Sequence, residues 1–480
     1  MAAGGLLAEL LGHIRFRGPM TFSDYMRMCL THPVHGYYMR RDVFGRGGDF
    51  ITGPEISQVY GELVGVWCVA TWQQMGEPPA VRIVEAGPGR GTLMADMLRV
   101  ISRHERLARG ASIELIEVSP FMRQRQREAL CAPGGAAVAD GAGEVRTRHG
   151  GMPISWHSSL RDLLARDDLA DEHGGQPDAP ASASGVNVPS IFVAHEFLDA
   201  LPVHKFRRAP PARPGGALGP WREVLVDVSD DAPDSPPDSP PPVDAPAPNA
   251  VAWPARREPP RDEASAGAVD AADADSLRFV LAPSATPALA LYAPLLPSTP
   301  PPPAGDAPDS LRAPERGAEG VEVEVCPLAL AFVTEVAREV ARSRGAALLI
   351  DYGPARGPVF DSARAIVRHE FARLLARPGE ADLSALVDFD ALAQAVSDVP
   401  GISAGALSTQ RELLGALGLE ARVNALLRSA SGEQRAALIS AAERLVALPG
   451  MGDEYKALAF CDARTGTPVG FRPGLGANAV

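Results

Sequence analysis

The sequence is short of cysteine, of long apolar runs and of positive charge. Its five cysteines, Cys29, Cys68, Cys131, Cys326 and Cys461, are odd in number and include no CxxC pair. That argues against a disulfide framework or a zinc knuckle and fits a reducing compartment. With no His/Cys cluster at ligand spacing, no metal site is expected. No apolar run is long and uninterrupted enough to span a bilayer; the stretch 59–72 is too short and contains Glu62. Lys and Arg number 46 against 59 Asp and Glu, a net charge of −13. Nonspecific nucleic-acid binding needs a basic surface, so no nucleic-acid partner is expected. The N-terminal stretch 1–18 is weakly amphipathic, with Arg15, Arg17 and Glu9, and lacks the Ser/Arg-rich length of a transit peptide.

Against these shortages stand 46 prolines and 47 glycines, and much of the proline lies between Pro210 and Pro314. Segments 229–275 and 297–320 are dominated by Pro, Ala and Asp. Such composition cannot bury enough apolar surface to offset ordering entropy, so both are expected to be disordered insertions, with a smaller one at 170–187.

The rest of the chain is patterned. Helical spacing of Leu6, Leu7, Leu10, Leu11 and Ile14 opens an N-terminal helical and loop region over 1–79. From Val81 strand-like runs (81–85, 112–118, a weak one at 154–156, 190–194 and 347–351) alternate with helical periodicity, which implies a mainly parallel α/β sheet. Runs 203–207, 221–228 and 277–281 read as antiparallel strands of a hairpin excursion over 203–320. The region 361–480 is expected to be mostly helical. The α/β core then comprises 80–202 and 321–360.

The strongest motif is Glu85-Ala86-Gly87-Pro88-Gly89-Arg90-Gly91-Thr92. A strand ends at an acid, turns through three alternate glycines and enters a helix. The glycines permit left-handed backbone angles and close approach of a ligand. The spacing is GxGxG rather than the GxGxxG that seats a pyrophosphate, so a phosphate-free ligand such as S-adenosylmethionine fits, and a nicotinamide dehydrogenase is disfavoured. The plainer alternative is a tight turn without ligand. Glu117 ends the second strand, where an acid in nucleoside-binding folds accepts both ribose hydroxyls; a solvated strand-end carboxylate is the alternative. His195-Glu196-Phe197-Leu198-Asp199 follows the fourth strand, at the carboxyl-end crevice where open sheets bind ligands. Two carboxylates there could grip a guanidinium by paired hydrogen bonds, or serve as caps. Asp49 and Glu55 flank another polar loop, 48–55, where Glu55 would equally suit a first helical turn.

The runs GYYMRRDVFGRGGDFITGPEISQVYGELVGVW, VEAGPGRGTLMADMLR, LIEVSP, AHEFLDALPVHKF, PWREVLVDV, LRFVLAPSATPA and LLIDYG resemble the MidA-like protein arginine methyltransferases, the mitochondrial complex I assembly factors and their bacterial relatives. The resemblance runs collinearly from about Met20 to Phe460. Gly53 stands where that family often has serine. The resemblance implies a Rossmann-like class I methyltransferase core with an N-terminal helical lid, a β-hairpin insertion and a C-terminal helical region. It implies S-adenosylmethionine as cofactor, symmetric dimethylation of an arginine in a complex I subunit as protein substrate, and a mitochondrial matrix setting. Carried onto this chain, Glu85, Gly87, Pro88, Gly89, Gly91, Thr92, Glu117 and Asp49 would serve the cofactor. Glu196, Asp199, His195 and Glu55 would serve catalysis. A second reading is a non-catalytic S-adenosylmethionine-binding assembly chaperone.

Overall fold

The structure is a computed structural model that describes residues 5–40, 52–132, 145–165, 188–210, 213, 218–229, 276–297 and 322–474. The expected insertions at 229–275, 297–320 and 170–187 lie almost wholly outside the described residues. The chain forms two compact units that divide it at points other than the sequence suggests. One holds 1–40, 200–327 and 358–386; the other holds 41–199, 328–357 and 387–480.

The larger unit is built on strands β1 (Val81–Ala86), β2 (Ala111–Ile116), β3 (Ile154–His157), β4 (Ser190–His195), β5 (Ala346–Tyr352) and β6 (Tyr455–Asp462). Their spatial order is β6-β5-β4-β1-β2-β3, with Ile402–Ala404 beyond β6. β1 to β5 are parallel, and β6 alone runs antiparallel, against β5. The order reverses between β4 and β1, so a crevice opens at their carboxyl ends, the switch point at which doubly wound sheets bind ligands. Every residue of β1, β4, β5 and β6 is buried. Strands covered on both faces read as continuous apolar runs, which is why the first, fourth and fifth are plain in the sequence.

Helix α1 (Gln58–Gln74) packs on α2 (Thr92–Ile101). α3 (Pro120–Leu130) follows β2, α4 (Pro327–Ser343) precedes β5, and α5 (Gly432–Val446) belongs to the C-terminal region. That region also contributes helices Phe389–Ser397, Gln410–Ala416 and Leu419–Leu427, and strands besides: β6, and within 361–386 a three-stranded sheet of Arg364–Val367, Glu370–Ala372 and Asp382–Ser384. At the amino ends of the strands, Arg82 donates to Ser190 Oγ (3.1 Å) and pairs with Glu339 Oε1 (3.0 Å), all buried. This end of the sheet is closed by a satisfied ion pair, and the carboxyl end is left for a ligand. No helix among the described residues is long and apolar enough to cross a membrane.

In the smaller unit, His204–Arg208, Trp221–Val228 and Leu277–Leu281 form the expected antiparallel strands. Met20–Thr21, Glu322–Val325 and Val359–Phe360 complete a six-stranded sheet. Met20–Thr21 pairs with Val226 and Leu225, which draws the N-terminal helices into this unit. Its interior holds a charge: Lys205, 1% exposed, lies 2.6 Å from Glu322 and 3.5 Å from Glu324, with the rings of Phe22 and Phe279 beside it. A buried cation is tolerable only with such pairing.

Candidate active site

β1 delivers Glu85 to the crevice one residue before its end. Gly87, Gly89 and Gly91 follow, with φ of 64°, 51° and 81°, all in the left-handed region that favours glycine. Gly91 is the N-cap of α2 and Thr92 its first helical residue. A Cβ on Gly87 would lie 2.6 Å from Phe197 Cδ2, so this turn also needs glycine to pass under the β4 loop.

Glu85 is fully buried, and burial raises its pKa from 4.5 to about 8. Its Oε2 has no hydrogen-bond partner among the described residues. A buried acceptor without a protein partner, beside a glycine turn, is compatible with a hydrogen bond from a ligand.

Glu117 stands one residue past β2. It accepts from Ser119 N (2.8 Å) through Oε1 and from Gln126 Nε2 (3.1 Å) through Oε2. Burial raises its pKa, and those two bonds oppose the rise. Gln126, on α3 and fully buried, ties the glycine turn to Glu117. The same Nε2 donates to Gly89 O (2.7 Å), and its Oε1 accepts from Trp156 Nε1 (2.9 Å). The sequence reading passed over Gln126; its only signal was a glutamine on a helix otherwise rich in arginine.

β4 ends at His195, and Glu196 then takes φ 48°, the left-handed region, without being glycine. Such a backbone costs on the order of 1–3 kcal/mol and clusters at functional sites. Glu196 N donates to Ile350 O (2.9 Å), and Oε1 accepts from Gly53 N (3.3 Å). Burial first, then the charges of Asp199 and Glu55, raise the Glu196 pKa to about 8; a hydrogen bond with Tyr455 opposes this. His195 Nε2 lies 3.3 Å from Glu196 Oε1, but the contact is not an ion pair. Burial drives the His195 pKa down to about 3, so the ring is neutral, and its Nε2 lacks hydrogen-bond geometry to any described residue. The ring packs 5.1 Å from that of Tyr60, whose buried hydroxyl also lacks a partner among the described residues.

Glu55 fills both roles open to it. Its Oε2 accepts from Thr52 N (3.3 Å) as the return arm of a capping box, and its Oε1 pairs with Arg90 (3.3 Å) from the glycine loop. One cleft is lined by Glu55, Glu85, Gly87, Pro88, Gly89, Thr92, His195 and Glu196, together with Arg90. Gly91, Glu117 and Asp199 do not line it. Asp49 lies outside the described residues. Besides Gln126, three residues of the neighbourhood went unnoticed in the sequence. Asp351 of β5 receives the backbone of the Glu196 loop, and Tyr455 opens β6. Arg444 of α5 is half-buried; burial lowers its pKa, while the charges of Tyr455 and Glu196 oppose this. No cluster of His, Cys, Asp and Glu among the described residues could hold a metal ion.

A sheet reversed at β1 and β4, a GxGxG turn and an acid past β2 define a class I methyltransferase core. The family model described as "Putative S-adenosyl-L-methionine-dependent methyltransferase" matches residues 63–406. The mitochondrial protein arginine methyltransferase NDUFAF7 of Danio rerio is 34% identical over 457 residues, 94% of this chain and 85% of the relative. Its Homo sapiens counterpart is 32% identical over 456 residues, 94% and 82% of the two chains. A Burkholderia thailandensis protein solved with S-adenosyl-homocysteine superposes with a TM-score of 0.62, covering 99% of this chain and 94% of that one. At 22% identity that likeness bears on the fold. The chain therefore belongs to the MidA-like protein arginine methyltransferase family, a family of S-adenosylmethionine-dependent methyltransferases, and its methyl donor is S-adenosylmethionine.

Proposed function

We propose that this chain methylates arginine in a protein substrate and that Glu196 holds the acceptor guanidinium. The observation that carries the reading is Glu196 itself: a carboxylate only 14% exposed, on a left-handed backbone, in the same cleft as the glycine turn. Strain of that kind persists where a side chain must be aimed. The relatives named as protein arginine methyltransferases agree with this substrate class.

The donor side is backbone and carboxylate. Gly87, Pro88 and Gly89 would bear on the cofactor, and Glu85 would accept a donor from it. Glu117, oriented by Gln126 and Ser119, has lone pairs left for ribose hydroxyls. S-adenosylmethionine, when bound, supplies a methyl group already activated by the sulfonium. What remains for the chain is alignment and electrostatics. A guanidinium donating to Glu196 would lower that pKa and leave the carboxylate ionised. As the methyl group passes from sulfur to nitrogen, the sulfur–carbon bond breaking as the nitrogen–carbon bond forms, the nitrogen gives up a proton, and the Glu196 carboxylate against it is placed to take that proton. Neutral His195 stands beside it, with Nε2 3.3 Å from Oε1. Asp199 supports the negative field without lining the cleft.

The substrate we infer is a complex I subunit, the product symmetric dimethylarginine and the setting the mitochondrial matrix. The family resemblance and the relatives' mitochondrial names support this. The test is mass spectrometry of methylarginine in mitochondrial extracts with and without this protein, beside transfer from radiolabelled cofactor to subunit peptides. Symmetric dimethylarginine that depends on the protein supports the reading. Cofactor binding with no transfer to any arginine peptide would leave the assembly-chaperone reading instead.

A further inference from the structure

The loop that carries Glu196 is held from another part of the chain. After Glu196, three successive backbone N–H groups converge on one oxygen. Phe197 N (3.2 Å), Leu198 N (2.9 Å) and Asp199 N (3.3 Å) all donate to Oδ2 of Asp351, in β5. Its Oδ1 accepts from Tyr352 N (2.9 Å), and the residue is 1% exposed. The preceding N–H, that of Glu196, goes to Ile350 O. Ile350 and Asp351, consecutive in β5, therefore receive the four consecutive N–H groups of 196–199. A left-handed residue followed by converging N–H groups forms a concave nest for an anion. Here the anion is a side chain of the protein.

We propose that Asp351 is a positioning residue of the acceptor site: its carboxylate fills the nest at 197–199 and so fixes the backbone angle that turns Glu196 into the cleft. This rests on the reading of Glu196 as the guanidinium clamp. A merely structural cap would not need a charge here. Burial first, then the charges of Asp199 and Glu196, push the Asp351 pKa up, against the N–H donors of Tyr352 and Asp199 that hold it down. What favours the carboxylate there is geometry: four backbone N–H groups donate to its two oxygens. An amide at this place has one acceptor oxygen. With that oxygen in the nest, its NH2 would meet the N–H of Tyr352, donor against donor.

The test uses the full chain as wild type, Asp351→Asn, Asp351→Glu, Glu196→Gln and the Glu196→Gln/Asp351→Asn double variant. Methyl transfer to an arginine peptide, S-adenosylhomocysteine affinity and amide hydrogen exchange at Phe197, Leu198 and Asp199 are measured on each. Asp351→Asn is expected to lower kcat roughly tenfold or more, the loss of a charge-assisted bond. It should leave S-adenosylhomocysteine affinity within about twofold, because the donor side hangs on β1. Exchange at the three amides should quicken at least as much. The double variant should be no slower than Glu196→Gln alone, since a residue that acts through Glu196 has nothing left to act on. Asp351→Glu keeps the charge and displaces it, and should fall between wild type and Asp351→Asn; it carries the same readouts if the amide variant does not fold. Wild-type kcat with protected amides in either variant overturns the proposal, and so do losses that multiply in the double variant. Should the wild type itself leave arginine peptides unmethylated, the clamp reading falls, while the amide exchange still decides whether Asp351 holds the loop.

Discussion

At the end of β1 the chain turns on glycines; at the end of β4 it turns on a glutamate. Both turns are left-handed and both line the same cleft. The first is made by residue type within a few consecutive positions. Gly87, Gly89 and Gly91 adopt their angles at no steric cost. The second is unfavourable locally and exists because β5 accepts its N–H groups. The side we propose for the donor is thus set by residue type, and the side we propose for the acceptor is nonlocal and charge-built. A turn of the first kind should fail most when its own residues change. A turn of the second kind should fail from a distance.

The largest effect should come from breaking the local turn. Gly89→Val would place a β-branched side chain at φ 51°. The strain alone is about 2–3 kcal/mol, enough for roughly a hundredfold loss of cofactor affinity if it falls on the bound form. Calorimetry with S-adenosylhomocysteine beside a thermal melt checks this, and undiminished affinity in a folded variant would remove the loop from the donor site. Next comes the acceptor side. Glu196→Gln keeps the shape and loses the charge, at about 1.5–3 kcal/mol, so transfer to arginine should slow roughly ten- to a hundredfold with cofactor affinity unchanged. A fall in cofactor affinity instead would place the β4 loop on the donor side and dissolve the division.

The same contrast explains what the sequence disclosed. The glycine turn was readable because its geometry follows from residue types in one short run. Glu196 was readable as a position, the first residue past a strong strand, but not as a left-handed residue. Its neighbours Asp351 and Tyr455 lie more than a hundred residues away, and nothing local marks them as partners. β6 stayed hidden for a related reason. Tyr455–Asp462 is buried throughout, and a short continuous apolar run cannot be told from a buried helix by periodicity. Gln126 was unreadable because its three bonds reach Gly89, Glu117 and Trp156, on three different segments. It yields the third prediction. Gln126→Leu should weaken S-adenosylhomocysteine binding about tenfold, the cost of a hydrogen bond to a charged group, while KM for the acceptor stays as it was. Equal losses on both sides would show that α3 serves the whole cleft rather than the donor half.

The smallest effect separates the halves by their protons. Glu85 on the donor side and Glu196 on the acceptor side both rise from 4.5 to about 8 in the folded chain. A carboxyl whose folded pKa is raised contributes stability that is fully present below its unfolded pKa and is lost as pH climbs through the folded value. His195 runs the other way. Its pKa falls from 6.5 to about 3, so its share is lost only as pH drops below 6.5. Between about 6.5 and 8 the histidine is silent and the two carboxyls still titrate. Across that window each should cost about 2 kcal/mol at most, a few degrees in Tm. Asp96, raised to about 7, adds to the slope, so the comparison is made between variants. Glu85→Gln and Glu196→Gln should each flatten the fall in Tm by a similar step. An arginine peptide added to the wild type should remove only the Glu196 step, because a bound guanidinium lowers that pKa and not the other. If the peptide leaves the slope unchanged while methyl transfer proceeds, the guanidinium does not sit on Glu196, and the acceptor half must be assigned to another carboxylate.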